Sequence, residues 1–457
     1  MNKMTNKIKN YDLDNPNILD EMVNGYRARI IGEDNNIKLL CLACISKDLP
    51  RRNRLSAIIT SQSSAGKSNL VNTVLMPFQD DVIDFTDYTP AFLNRQEMIM
   101  NGKILKMEQI ERTNDKKQVS IANLKFLLTE GVLKIGVVEK DDRGKNFPKT
   151  LQVTGIPVFI STSTNYNIDP ETINRTLLMQ VDESELQTKN IISHIFNSYG
   201  QLAVNNNWTT ELSELKKLAK TFKQHAKQIR DIVIPFGLKL ESKIPITDIT
   251  IRRDLPKILN LTCVVAFMHV TNRMCIRNKK GEEFVVDSFG KTEKLYTYTI
   301  IAEPADFQEA IQIAGSAITQ TINKINKSSM DIYEKFIALY RQKMSDNSIS
   351  VQNTTLDDSK TNDDGITIKE LTKVTHLSQN RTRELINQLL SNGFISREKT
   401  KSKEFEYFPT GKKFESIQFD KIEFTSDELE TWLKMEIGDN DELEIVYPKN
   451  RDFVLSD

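Results

Sequence analysis

The stretch from Leu55 to Leu75, LSAIIT-SQSSAGKS-NLVNTVL, restricts what this chain can fold into more than any other. An apolar strand is followed by a loop of small residues closing on Gly66-Lys67-Ser68, and then by an amphipathic helix. Small side chains let consecutive backbone N–H groups close around an anion, while the following helix aims its positive end at the same point. The spacing is that of a phosphate-binding loop. Ser63, Ser64, Ala65, Gly66, Lys67, Ser68 and Asn69 are the expected ATP contacts, with Lys67 against the β- and γ-phosphates and Ser68 a ligand of Mg²⁺. The usual pattern starts with a Gly five residues before Gly66, and Ser61 stands there. A chance A-G-K-S at a helix start is the bland alternative, which the strand before it and the helix after it oppose.

At 457 residues the chain is too long for one compact core. With 62 basic against 62 acidic side chains, overall charge gives no argument for nucleic acid. No stretch approaches the roughly 18 apolar residues of a membrane span, and Met1–Pro16 lacks the apolar core of a secretion signal, so a cytoplasmic, nucleoid-associated protein is expected. Cys41 and Cys44 have metal-like spacing, but they fall in the apolar run Ile37–Ile45 and no second pair completes a site, which points to buried thiols.

Residues 1–50 read as a lead-in helix. From 51 to 182, short apolar runs alternate with loops, as expected of an α/β core with a parallel sheet buried on both faces. Within it, Leu133–Lys140, the turn Asp141–Gly144 and Lys149–Val153 predict an inserted β-hairpin whose basic tip carries Lys140, Arg143, Lys145 and Lys149. Residues 183–344 read as a helical lid and helical region, and 345–365 as a polar flexible linker. Residues 366–415 spell helix, turn, helix and basic hairpin, the order of a winged helix-turn-helix, with ten basic against six acidic residues. Arg381, Arg383 and Lys401 are its expected DNA contacts, although some such modules bind protein. Residues 416–457 form an acidic tail, eleven acidic against four basic residues from Lys421 on, of the sort that solvates or contacts partners.

The phosphate loop, the inserted hairpin and Ile173-Asn174-Arg175-Thr176-Leu177, together with Ile251-Arg252-Arg253-Asp254-Leu255, resemble the AAA+ core of minichromosome maintenance (MCM) helicases and of MCM-like proteins of mobile elements. The resemblance runs from 29 to 275, and the winged helix fits it. It implies that Arg175 reaches a neighbouring subunit's nucleotide, that Arg253 is the sensor 2 arginine, and that subunits assemble as a homo-oligomeric ring with single-stranded DNA in its channel. A guanidinium facing the transferred phosphoryl group can be worth about 10³ to 10⁵ in rate. Two departures stand out. The third strand should end in an acidic pair, yet Ile104–Met107 is followed by Glu108-Gln109-Ile110-Glu111, so Glu108 serves the metal and either Glu108 also activates water, Glu111 reaches in, or hydrolysis is slow. Sensor 1 falls on Thr162 or Thr164. The second departure is that the N-terminal DNA-binding, zinc-bearing region of full MCM proteins has no counterpart before Arg29, so origin recognition is expected from the winged helix or a partner.

Three functions compete: an ATP-driven DNA helicase or translocase in the replication of a plasmid, virus or integrated element; an ATP-switched DNA-binding regulator or helicase loader; and a degenerate scaffold. ATP turnover stimulated by single-stranded DNA separates the first from the others.

Overall fold

The computed structural model describes residues 11–85, 98–108, 115–140, 146–164, 168, 170–200, 208–244, 251–285, 292–351, 365–399, 404–414, 422–438 and 440–448. Two compact units emerge, Met1–Ile318 with Ile417–Asp457, and Thr319–Ser416.

In the first unit, α1 (Ile18–Tyr26) and α2 (Asp34–Ser46) replace the single lead-in helix. Gly32 and Glu33 both have positive φ, which a helix cannot accommodate, so the periodicity is broken there. Ile37 and Leu39–Ile45 of α2 are all buried, as befits a helix apolar on every side. Cys41 and Cys44 lie among them, and burial pushes the Cys41 thiol up to about 12.

Next come β1 (Ala57–Thr60), α3 (Lys67–Leu75), β2 (Val82–Phe85), β3 (Met98–Ile99), β4 (Ile104–Glu108), α4 (Asp115–Glu130), β5 (Val132–Lys140), β6 (Asn146–Thr154), β7 (Val158–Ser163), α5 (Pro170–Ile173) and β8 (Leu177–Gln180). Five of these strands form a parallel sheet in the order β2-β4-β7-β1-β8. One face of it, with Ile58, Leu105, Met107, Phe159 and Leu178, buries against Leu124 and Leu127 of α4. On the sheet's flank α2 packs on β7 and on α3. The chain leaves β1 toward one side and later crosses from β7 past β1 to β8. That reversal opens a crevice at the carboxyl ends of the central strands, where ligands of such sheets bind. Beside the sheet, β5 and β6 pair antiparallel over their whole length, and β3 adds to β6 in parallel.

Beyond β8 lie α6 (Glu185–Tyr199), α7 (Trp208–Ala226), β9 (Ile229–Val233), α8 (Ile251–Met268), β10 (Cys275–Asn278), β11 (Glu282–Val285), β12 (Thr292–Leu295), β13 (Tyr298–Ile301) and α9 (Pro304–Asn323). The reading of 183–344 as a helical lid and helical region is corrected by the five strands within it. Ile229–Val233 is a strand because it pairs in parallel with β13, and it lies on α8.

In the second unit, α10 (Lys327–Val351) runs seven residues into the expected linker, whose 352–364 lie outside the described residues. It packs with β14 (Ile366–Thr367), α11 (Ile368–Thr375), α12 (Gln379–Ser391), β15 (Ile395–Lys399) and β16 (Phe405–Pro409). The strands pair as β14-β16-β15, around a core of Phe336, Leu371, Leu385, Leu389, Phe394 and Tyr407. Thr367 and Glu370 form a capping box at α11, and Ser378 caps α12.

The acidic tail is corrected most. Its α13 (Ser426–Ile437) and β17 (Leu443–Val446) belong to the first unit, where β17 pairs antiparallel with β10 in a sheet ordered β17-β10-β13-β9. Arg277 donates to Glu444 at 2.6 Å, Lys239 to Glu428 at 2.7 Å, and Phe424 packs on Phe236. Glu444, Glu428 and Glu442, which pairs with Lys280, are thus matched by basic partners. Among the described residues no helix is long and apolar enough to cross a membrane.

Candidate functional site

The phosphate loop leaves the carboxyl end of β1 and enters α3 at Lys67. Gly66 has φ +91°, a conformation L side chains resist, and a Cβ built there meets nothing within 4 Å, so the space above the loop is open. Ser64 also has positive φ, at 66°, a strain of the sort that collects at functional sites. Lys67 is buried and donates to Ser61 O at 2.8 Å and Gln62 O at 2.6 Å. Its ammonium is thereby fixed beneath the loop. Ser68 and Asn69 are exposed in the first turn of α3, and Asn69 donates to Arg29 O at 3.4 Å.

A cavity of about 530 Å³ opens onto Gln62–Gly66 and Asn69. Ile30, Ile31, Leu70, Val181, Ile191 and Ile195 give it an apolar lining, and α6 adds Gln187, Thr188 and His194 to the same wall. Open space above small residues, a fixed ammonium and an adjoining, partly apolar lining fit a nucleotide. Sequence reasoning missed two carboxylates on its wall. Glu183, just after β8, accepts from Ser61 Oγ at 2.8 Å, from Gln62 N at 2.9 Å and from Gln62 Nε2 at 3.2 Å. Glu33 accepts from Asp182 N at 2.7 Å, and burial holds its carboxyl above the ordinary value. Only contacts across more than a hundred residues of sequence identify either.

Glu108 ends β4, and the register sets it beside Thr162 of β7, which is beside Ile59 of β1. Residues in register on parallel strands share a face. Thr162 therefore shares Glu108's face at the carboxyl edge; Thr164 lies beyond the strand in a bend and is half-buried. Lys106, two residues before Glu108, has Nζ 3.7 Å from Glu108 and 2.8 Å from Asp84. Gln109 and Glu111 lie outside the described residues. Ser68 and Glu108 are the residues that would hold Mg²⁺.

Arg175 lies at the opposite edge of the sheet, where it precedes β8. It donates to Thr129 Oγ1 at 2.8 Å, to Glu171 O at 2.8 Å and to Glu171 Oε1 at 3.0 Å. Around it is a hollow of about 370 Å³ that also receives Arg51, Arg52 and Arg54. Arg54 is held by Leu49 O at 3.3 Å and Asn101 Oδ1 at 2.9 Å, and burial lowers its pKa from the ordinary arginine value. Arg175 sits in the turn before β8, whose four residues, three steps of about 3.3 Å, span about 10 Å between this edge and the carboxyl edge where the loop lies. Arg253 and Arg252 are exposed in the first turn of α8. Nearby, buried Lys257 donates to Ile173 O at 3.0 Å and pairs with Asp254 at 2.8 Å, tying α8 to the turn that carries Arg175.

Of the expected DNA contacts, Arg143, Lys145 and Lys401 lie outside the described residues, as does the side chain of Lys140; Lys149 is exposed on β6. Arg381 is corrected: its side chain is only 7% exposed and pairs with Glu384 at 3.0 Å. It sits one turn before buried Leu385, whereas Arg383, two residues on, faces another way. Arg383 lines a separate hollow with Gln379, Asn387, Arg397, Phe405 and Tyr407. There the Arg397 guanidinium stacks 4.8 Å from the centre of the Phe405 ring.

No protein-family model and no curated protein matches the chain. Among solved structures it is similar to a full-length MCM homolog from Methanopyrus kandleri, at 12% identity and a TM-score of 0.37, over 68% of this chain and 61% of that one. The chain thus spans about three fifths of that homolog's length. It is also similar to a provisionally assigned ATPase from Cytophaga hutchinsonii, at 12% identity and a TM-score of 0.34, over 68% of this chain and 95% of that one.

Proposed function

We propose that the chain is an AAA+ ATPase of the MCM-like kind, working as a DNA-dependent motor in replication of a mobile element. The observation that carries the ATPase reading is the phosphate loop itself: Lys67 fixed on the carbonyls of Ser61 and Gln62, beneath an open space that continues into a partly apolar cavity. Backbone N–H groups of the loop and Lys67 bind and orient the polyphosphate, and Ile30, Ile31 and Ile191 exclude water from the base. Bound Mg²⁺ would supply charge neutralisation between phosphates, held through Ser68 and Glu108. Glu108 takes the proton of the attacking water, with Thr162 beside it as the sensing hydroxyl.

The placement of Arg175 before β8, at the end of the sheet opposite the loop of the same chain, supports action on a neighbour's nucleotide. A patch that fits a different patch on the next copy gives a head-to-tail interface, which forms a ring where the rotation between copies closes. Of the second unit, the helix-turn-helix with its three-stranded sheet supports a winged-helix reading, with Arg383 and Arg397 in place of Arg381 as duplex contacts.

The test is strand displacement and ATP turnover with and without Mg²⁺ and single-stranded DNA. Replacing Lys140, Arg143 and Lys145 by Ala is expected to lower DNA-stimulated turnover, spare basal turnover and flatten the salt dependence of single-strand binding by roughly 0.7 per lost phosphate contact. Sequence-specific duplex binding with no displacement would favour a loader instead.

A further inference from the structure

Ser61 occupies the first position of the phosphate loop, where the pattern has glycine, yet it is not among the residues with positive φ. Serine therefore costs no backbone strain there. Its cost lies elsewhere: the residue is wholly buried, and a buried hydroxyl without a partner destabilises. Glu183 meets that need and does more, because its Oε1 accepts from both Ser61 Oγ and Gln62 N while Oε2 accepts from the Gln62 side chain. Lys67 grips the carbonyls of the same two residues. The Ser61-Gln62 segment is thus held between an ammonium and a carboxylate, both supplying charge-assisted hydrogen bonds.

The carboxylate is fixed in turn. Glu183 directly precedes Ser184, which caps α6 by accepting from Gln187 N at 3.1 Å, and Gln187 Nε2 donates to Ile31 O. The helix whose Ile191 and Ile195 line the cavity therefore starts two residues from the group that holds the loop.

We propose that Glu183 is a positioning residue for nucleotide binding, holding Ser61 and Gln62 so that the loop is already shaped for phosphate when nucleotide arrives. The proposal rests on the phosphate-loop reading above. A preorganised loop lowers the ordering cost of binding, so loss of the clamp appears in affinity and not in the chemical step.

Full-length wild type, Lys67→Ala, Glu183→Ala, Glu183→Gln, Ser61→Ala and the double variant Ser61→Ala/Glu183→Ala are titrated with a fluorescent ATP analogue and Mg²⁺, and KM and kcat are measured alongside. Glu183→Ala is expected to raise Kd and KM by about tenfold, the effect of roughly one charge-assisted hydrogen bond, with kcat within about twofold. Glu183→Gln keeps an oxygen for Ser61 and Gln62 and should return Kd to within about threefold of wild type. The double variant should bind no more weakly than Glu183→Ala, because both changes break one link. A Kd for Glu183→Ala within twofold of wild type, a multiplicative double variant, or a glutamine variant as impaired as the alanine one overturns the proposal. Should Glu183→Ala not fold, Ser61→Ala and Glu183→Gln carry the same decision. If Lys67→Ala loses binding while Glu183→Ala keeps it, this proposal alone falls; if Lys67→Ala binds like wild type, the phosphate-loop reading falls and takes it along.

Discussion

At the carboxyl edge of the parallel sheet the polar work is done by main chain, whereas at the amino edge it is done by side-chain charge. Around the phosphate loop, Lys67 and Glu183 spend their charge on the loop's own backbone, which leaves the space above Gly66 free for an anion. The amino edge holds two clusters of different character. Asp81, just before β2, meets Lys47 at 2.9 Å, Lys223 at 2.7 Å and Lys103 at 3.4 Å, a knot in which the carboxylate is surrounded. The arginine hollow is mixed: Arg175 pairs with Glu171 and Arg52 with Asp231, whereas Arg51 donates to Thr129 O and Arg54 to Asn101 and backbone oxygens, so neutral groups hold the latter two cations. How fully a charge is matched by neighbours separates a strut from a group kept for something outside the chain.

The sharpest break of that comparison is Lys67→Ala, expected to reduce ATP turnover to background and weaken nucleotide binding while circular dichroism stays that of the wild type. Undiminished turnover would remove the enzymatic reading of the carboxyl edge. Arg175→Ala comes next, with turnover expected to fall by about 10³ or more and single-subunit nucleotide binding retained. Mixing it with Lys67→Ala protein should restore activity at interfaces that pair an intact loop with an intact arginine; a dead mixture beside a wild type that turns over as a monomer would return Arg175 to its own chain. Glu108→Gln is expected to cost about a hundredfold, the usual scale for a general base, whereas Gln109→Glu should leave turnover equal or higher. A large loss from Glu111→Gln with little from Glu108→Gln would move the base three residues along.

The smallest effect belongs to the knot. Burial raises the Asp81 carboxyl, but hydrogen bonds from Lys223 and Lys47 outweigh it and bring it down to about 2 from an ordinary 3.8. A carboxyl depressed on folding contributes stability above its unfolded value, and that contribution disappears as pH falls toward about 2. Asp81→Asn should therefore lower the melting temperature at neutral pH, flatten the acid limb between about pH 4 and 2, and leave nucleotide affinity alone. A shift in nucleotide Kd from this change would show that the two edges are coupled and the contrast overdrawn.

The strand, loop and helix around Gly66-Lys67-Ser68 were legible because their signal is local: small residues between a buried strand and a helix. Pairing of β5 with β6 was legible for the same reason, through a short Asp/Gly-rich turn between β-prone arms. Glu183 was not, since nothing in its own neighbourhood marks a residue whose partners lie about 120 positions earlier. Arg381 was misread because composition counts charge without helical phase, and two arginines separated by one residue cannot share a face. In the tail, eleven acidic residues masked Leu443–Val446, whose pairing with β10 depends on residues far back in the chain.

That last strand sets an order of events. When β10 and β13 leave the ribosome, β17 has not been made, and at about 5–20 residues per second the wait lasts roughly ten to thirty seconds. Throughout it β10, and not β17, is the outer strand of that sheet, with its pairing groups free to take up another chain. Residues 319–416 are all synthesised within that interval, so the helix-turn-helix unit can be finished while its host is still incomplete. A chain terminated at Ser416 would make the wait permanent: a finished small unit attached to a large one with its β10 edge exposed for life.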